Sequence, residues 1–194
     1  MAILETIHSP YTVCDTIASL HAALIVLRAS QRLVLDCEGD KLGIEGGTLS
    51  LILIGCLSPL ESFHPFIIDV LAFSRADLLP LFRILRSPHV VKIMFDGRMD
   101  YSALYHGYGI ALQNVLDLQL ADLVYRMIWR ESDEERLQRL SPFIPDFAWR
   151  TDKQMYQNIF KLSGLKECVR LHMLTAPPKG DGAFSLTIIS PFMF

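Results

Sequence analysis

The chain has 194 residues, 18 Lys+Arg against 21 Asp+Glu, and a formal net charge of −3, so it does not grip nucleic acid by bulk positive charge. Hydrophobic residues make up 51% and charged ones 20%, which excludes a wholly disordered chain. The mean hydropathy is +0.32, yet no apolar run reaches the roughly 20 residues of a spanning helix. No signal peptide is expected, because Glu5 stands where a basic n-region belongs and no clean apolar run follows it.

Asp15 or Thr16 caps a first helix, with Ile17, Leu20, Leu24 and Leu27 on one face. The polar stretch from Arg28 to Arg32 ends it. Leu33 to Glu38 reads as a buried strand stopped by Gly39, and Gly43, Gly46 and Gly47 form a turn. Thr48 to Leu57 is a second, almost wholly apolar strand that belongs in the middle of a sheet. Phe66 to Val70 is a third. Short glycine turns make such strands antiparallel neighbours.

The period then changes. Ser74 and Asp77 form a capping box, and Leu78, Leu81, Phe82 and Leu85 make a helical stripe that Ser87-Pro88 breaks. His89 to Phe95 is the fourth strand. A helix from Met99 or Asp100 to Tyr108 is closed by Gly109. Val115 to Asp117 is the fifth strand, and Leu120, Leu123, Val124 and Met127 form the next helical face. A meander followed by βαβ crossovers is an α/β architecture with a mixed sheet.

Beyond Arg130 the pattern weakens. Glu131 to Arg139 reads as a charged, exposed helix turn or loop, interrupted by Pro142 and Pro145, and Asp152–Leu162 and Leu165–Leu174 read as helices. From Ala176 onward the chain changes character, with Pro177, Pro178, Gly180 and Gly182 ahead of an apolar run. The expected organisation is one domain over residues 1–175 and an unmatched tail over 176–194. Cys14, Cys37, Cys56 and Cys168 form no CxxC pair and no evident Cys/His ligand spacing. Neither a disulfide framework nor a zinc site is expected. The cysteines read as reduced, which places the chain inside the cell, in nucleus or cytoplasm.

Residues 1–125 carry 8 basic and 13 acidic side chains. Within that acidic part, Asp36 and Glu38 stand at i and i+2 of a strand and therefore point to the same face. Two like charges held side by side call for a cation. A divalent metal is one reading of the pair; a hydrated strand end beside Gly39 is the other. Asp100 stands in the first turn of a helix, where a carboxylate is equally at home as a cap.

The run LVLDCEGDKLGIEGGTLSLILIG resembles the first motif of the DEDD-type 3′–5′ exonucleases, and VKIMFDGRMDYSALYHGYGIALQNVLDLQLAD resembles their second. The closest similarity is to the ribonuclease D-like branch, over about Tyr11 to Met127 and loosely to Leu165–Leu171. The resemblance implies a ribonuclease H-like fold, a five-stranded mixed sheet flanked by helices. It implies that Asp36, Glu38 and Asp100 are catalytic, metal-binding acids that converge to share Mg²⁺ or Mn²⁺, and that the chemistry is two-metal phosphodiester hydrolysis at a single-stranded nucleic-acid 3′ end. Arg98 would meet phosphate and Tyr101 a terminal base; Phe95, Tyr105, Arg126, Arg130 and Arg150 are further candidates.

One part of the pattern is absent. The family's third motif, Tyr-x-x-x-Asp or His-x-x-x-Asp, does not follow Asp117. FKLSGLKECVRL resembles the helix that precedes it, so the domain is expected to be incomplete towards its C-terminal end. Asp117 and Asp122 are the available substitute ligands. The rival functions are a catalytically inactive nucleic-acid-binding or scaffold domain on the same fold, and a non-nuclease α/β domain whose acids are surface residues. No membrane partner is expected.

Overall fold

The computed structural model describes residues 11–57, 63–129, 131–144 and 153–173. The chain forms two compact units, divided between Asp117 and Leu118.

The first unit runs β1 (Thr12–Cys14), α1 (Ile17–Ala29), β2 (Arg32–Asp40), β3 (Thr48–Cys56), β4 (Pro65–Asp69), a 3₁₀ turn (Val70–Ala72), α2 (Arg75–Arg86), β5 (Val91–Met94), α3 (Arg98–Tyr108) and β6 (Val115–Asp117). Its strands form one mixed sheet in the order β1-β4-β3-β2-β5-β6. The β2–β3–β4 meander is antiparallel, whereas β5 runs parallel to β2 and β6 parallel to β5. The sheet therefore has six strands where five are expected from sequence. The added strand is the three-residue β1, which pairs in parallel with β4 at the edge. It is too short to show an alternating pattern, and its partner lies more than fifty residues away.

Local chemistry sets the boundaries. Thr16 caps α1 and Ser74 caps α2, each in a reciprocal capping box with the residue three positions on. Gly109, at φ 66°, closes α3 in the left-handed region. Leu20, Ala23, Leu24 and Leu27 of α1 join Leu78, Leu81, Phe82 and Leu85 of α2 over Leu33, Leu35, Cys37, Ile52, Ile54 and Ile68 of the sheet. This is the core that fixes β2 as a rigid support. Lys92 on β5 is fully buried, and its ammonium donates to the Ser87 and Val90 carbonyls, both at 2.7 Å. Burial lowers its pKa to about 8.

The second unit holds α4 (Leu118–Trp129), α5 (Asp133–Leu140), a 3₁₀ turn (Ser141–Phe143), a second one (Lys153–Tyr156) and α6 (Leu165–Met173). Two expectations fail here. Leu120, Val124 and Met127 of α4 are exposed, while Gln119, Asp122 and Arg126 are buried. The buried face is polar because it carries a network: Arg126 Nε meets Asp122 Oδ2 at 3.0 Å, its Nη1 meets Glu131 Oε2 at 2.9 Å and its Nη2 donates to the Lys161 carbonyl at 2.8 Å. The charged stretch after Arg130 is also more buried than expected. Ser132 caps α5 with Glu135, Leu137 and Leu140 are buried, and Arg136 is buried with its guanidinium on the Tyr156 and Ile159 carbonyls. Of the helix expected over Asp152–Leu162, the described residues form only the Lys153–Tyr156 turn, and the Tyr156 carbonyl, which would accept from the next turn, is engaged by Arg136. The expected tail over 176–194 lies outside the described residues.

Candidate active site

The site is built on the C-terminal half of β2. Asp36 and Glu38 are exposed on one face, and the intervening Cys37 is buried in the core. The period-2 reading of the pair is therefore what the strand presents, but the acids face open space rather than the interior. Their cross-strand partners on β3 are Leu53 and Leu51. A bulge follows Glu38, where Gly39 replaces the regular register. A Cβ at Gly39 would lie 1.9 Å from the Thr48 carbonyl oxygen, so only glycine lets the two strands close there.

The turn after the bulge packs on the start of α3. Gly43 has φ 71°, and a Cβ there would stand 2.5 Å from the Met99 carbonyl oxygen. Ser102 Oγ donates to the Gly43 carbonyl at 2.7 Å. This contact brings the first turn of α3 against β2. Asp100, 6% exposed, accepts the Cys37 backbone N–H on Oδ1 at 2.7 Å. Its carboxylate thus reaches the strand at the residue between Asp36 and Glu38. The loop before α3 is fixed separately. Asp117 at the end of β6 accepts the Asp96 and Gly97 N–H groups, each at 3.2 Å, and Asp96 itself sits at φ 54°. Asp117 thus clasps the loop that leads into α3.

The electrostatics are one-sided. Burial pushes the Asp100 carboxyl up to about 6, against the pull of its own and Cys37's amides, and the charge of Asp36 adds to the rise. The Asp36 carboxyl is also raised, first by desolvation and then by Glu38. The Cys37 thiol, buried and beside Asp100 and Asp36, is raised as well, so it is inert as a nucleophile. Among the described residues no basic side chain forms an ion pair with Asp36, Glu38 or Asp100. Three carboxylates, two of them raised by mutual repulsion and desolvation, are a donor set that a hard divalent cation fits. They do not pre-close on it: among the described residues, the group whose ligand atoms all lie within 4.8 Å of one another is a different one, Asp122, Cys168 and His172.

The flanking candidates sort clearly. Tyr101 and Tyr105 are exposed on α3, and their rings stack at 5.8 Å with planes 9° apart. Arg98 is exposed and paired with Asp96 at 2.6 Å. Arg126 is buried in its ion pairs and presents nothing to a phosphate; Arg130 and Arg150 lie outside the described residues. Asp122 is held by Arg126 and by His172 Nε2 at 2.9 Å, in a cluster of its own with Cys168 and His172. Sequence reading passed over the Cys168 and His172 pair, although its i, i+4 spacing on a helix was a usable signal.

Residues 11–128 match the family model described as 3′-5′ exonuclease. No curated protein matches the chain. Solved structures do: the EXO domain of Aedes aegypti Nibbler (18% identity, TM-score 0.53, 68% of this chain and 66% of that one), Trypanosoma brucei RNase D in complex with RNA U12 (24%, 0.52, 80% and 56%), and Escherichia coli RNase D (21%, 0.50, 88% and 38%). The chain thus spans between 38% and 66% of the length of these structures. With its six-stranded mixed sheet, its acid-bearing central strand and a family match over more than half its length, this chain belongs to the 3′–5′ exonuclease family and has the fold of the RNase D-like domains.

Proposed function

We propose that the chain holds a divalent cation of the Mg²⁺ or Mn²⁺ type on Asp36, Glu38 and Asp100 and acts on the 3′ ends of single-stranded nucleic acid. The observation that carries this reading is the placement of Asp100 on the Cys37 amide, between two exposed like charges with which no basic side chain among the described residues pairs. When bound, such ions would acidify an attacking water and offset charge on the departing 3′ oxygen. The chain's own part is positional. The Gly39 bulge and the Gly43–Ser102 contact hold the three carboxylates on one support. The stacked Tyr101 and Tyr105 offer a face to a terminal base, and Arg98 lies beside them for the adjoining phosphate. The Trypanosoma brucei relative seen with RNA supports RNA as the substrate. The unpaired cysteines fit a reducing compartment, nucleus or cytoplasm.

Hydrolysis by this polypeptide is expected to be feeble. No Tyr-x-x-x-Asp or His-x-x-x-Asp, the motif to which the resemblance assigns a fourth acid and the group that orients the water, follows Asp117 in these 194 residues. Their loss costs on the order of three decades in rate. A 3′-labelled oligoribonucleotide tests the reading, with Mn²⁺ and with EDTA. The expected result is Mn²⁺-dependent binding that Asp36→Asn removes, with cleavage slow until a helix bearing Tyr-x-x-x-Asp replaces Ala176–Phe194. Absence of metal-dependent binding would refute the site. Brisk cleavage by the unmodified chain would refute the attenuation.

A further inference from the structure

The second unit contains a donor set that the exonuclease reading leaves unused. Cys168 and His172 stand one turn apart on the same face of α6. Asp122 reaches them from α4, with its Oδ1 2.9 Å from His172 Nε2. One atom from each of the three lies within 4.8 Å of the other two. Asp122 and Cys168 are buried, at 2% and 1% exposure, and the thiol is free. Tetrahedral zinc, with bonds of about 2.0–2.3 Å, spaces its ligand atoms by about 3.3–3.8 Å. Closure around an ion therefore takes only modest side-chain adjustment.

We propose that Asp122, Cys168 and His172 form a site for a single borderline-soft cation of the Zn²⁺ class. Sulfur, nitrogen and oxygen donors select such an ion, in contrast to the all-oxygen set on β2. The surroundings fit a ligand cluster. Arg126 holds Asp122 by the other oxygen, Oδ2, at 3.0 Å, and is itself balanced by Glu131 at 2.9 Å, so the carboxylate is aimed without being consumed. The Tyr125 ring packs edge-on against His172 at 5.0 Å and fixes the imidazole plane. Ser163, 4% exposed, has a buried hydroxyl oxygen without a well-formed hydrogen bond, although it lies close enough to Asp122 to help keep that carboxylate ionised. It is the neighbour for a water in the fourth position. On binding, the Cys168 thiol proton leaves to solvent, and the His172 Nε2 proton moves by way of solvent to the other ring nitrogen, so that Nε2 gives up its hydrogen bond with Asp122 and meets the ion with a lone pair. The ion's two positive charges then meet the Asp122 carboxylate and the Cys168 thiolate, and α6 is pinned to α4.

Cobalt titration of the chelator-treated full chain tests this, because Co²⁺ on a thiolate gives a near-ultraviolet charge-transfer band. The expected result is one equivalent bound with that band, and Zn²⁺ competing it away. Cys168→Ser abolishes the band, His172→Asn weakens binding by about 100-fold or more, and Asp36→Asn leaves both unchanged. The last variant separates this site from the acids of β2. A band that survives Cys168→Ser, and so arises from Cys37 or another thiol, overturns the proposal. So does the absence of any band, or wild-type affinity in His172→Asn with the circular dichroism of the folded chain. The histidine variant decides the matter if the cysteine variant fails to fold.

Discussion

Asp100→Asn removes one charge from the β2 site while keeping an oxygen to accept the Cys37 N–H. In the folded chain the Asp100 carboxyl titrates near 6, against 3.8 when unfolded. A folded pKa above the unfolded one means that the protonated form is favoured by folding. Stability associated with this group is fully present below pH 3.8 and is lost as pH rises through 6. Two units at about 1.36 kcal/mol each set a ceiling of about 3 kcal/mol on the loss at pH 7.5. Between pH 7.5 and pH 5 the wild type regains roughly 1.4 kcal/mol of it. Asp36 contributes in the same direction. Asp122 and Glu167, both held near 2, change stability only below this window. Urea unfolding in EDTA, followed by circular dichroism, gives the comparison. The variant is expected to be more stable than wild type at pH 7.5, by up to about 3 kcal/mol, and to show a flatter pH profile. Mn²⁺ should narrow the gap by stabilising the wild type alone. A variant less stable than wild type at pH 7.5, or a wild type whose stability is level from pH 5 to 7.5, would refute the reasoning.

Three further outcomes follow from the same geometry. Gly39→Ala sets a Cβ 1.9 Å from the Thr48 carbonyl oxygen and should cost on the order of 3 kcal/mol in denaturant unfolding; a neutral substitution would mean that the bulge shifts freely. Asp117→Ala frees the Asp96 and Gly97 amides and should cost about 2 kcal/mol, with faster amide exchange confined to that loop and the first turn of α3. Arg126→Met leaves the buried Asp122 carboxylate with His172 and that of Glu131 with Arg139 as remaining partners and should destabilise by about 3 kcal/mol at pH 7; a loss below 1 kcal/mol would show that the network is dispensable.

The first unit was largely legible because its signals are local. The capping box of Ser74 and Asp77, the breaker Ser87-Pro88 and the left-handed Gly109 each act over a few residues, and the i, i+2 spacing of Asp36 and Glu38 puts them on one face whatever surrounds the strand. What escaped depends on distant partners. β1 exists only through its pairing with β4. Asp117 is set by amides twenty residues upstream, and the Asp100 contact with Cys37 bridges sixty-three positions. On α4, hydropathy picked Leu120, Val124 and Met127 as the inner face, but Arg126 and Asp122 satisfy one another and so can be buried in their place. Binary patterning has no term for polar groups that cancel.

Lys92 makes β5 a place where breathing of the sheet can be read chemically. Its amine has no exposed surface and donates to two carbonyls, so an amine-directed reagent reaches it only when the strand between β2 and β6 comes loose. Near pH 8 about half of the buried amines are unprotonated, whereas an opened amine is rehydrated and loses the cause of that shift, so it reacts as a solvated lysine does. The rate of labelling at this one position, set against that of a surface lysine such as Lys41, is therefore the population of an open sheet. Because β5 leads directly into the Asp96–Gly97 loop and Asp100, that number also measures how often the acid on α3 loses its footing.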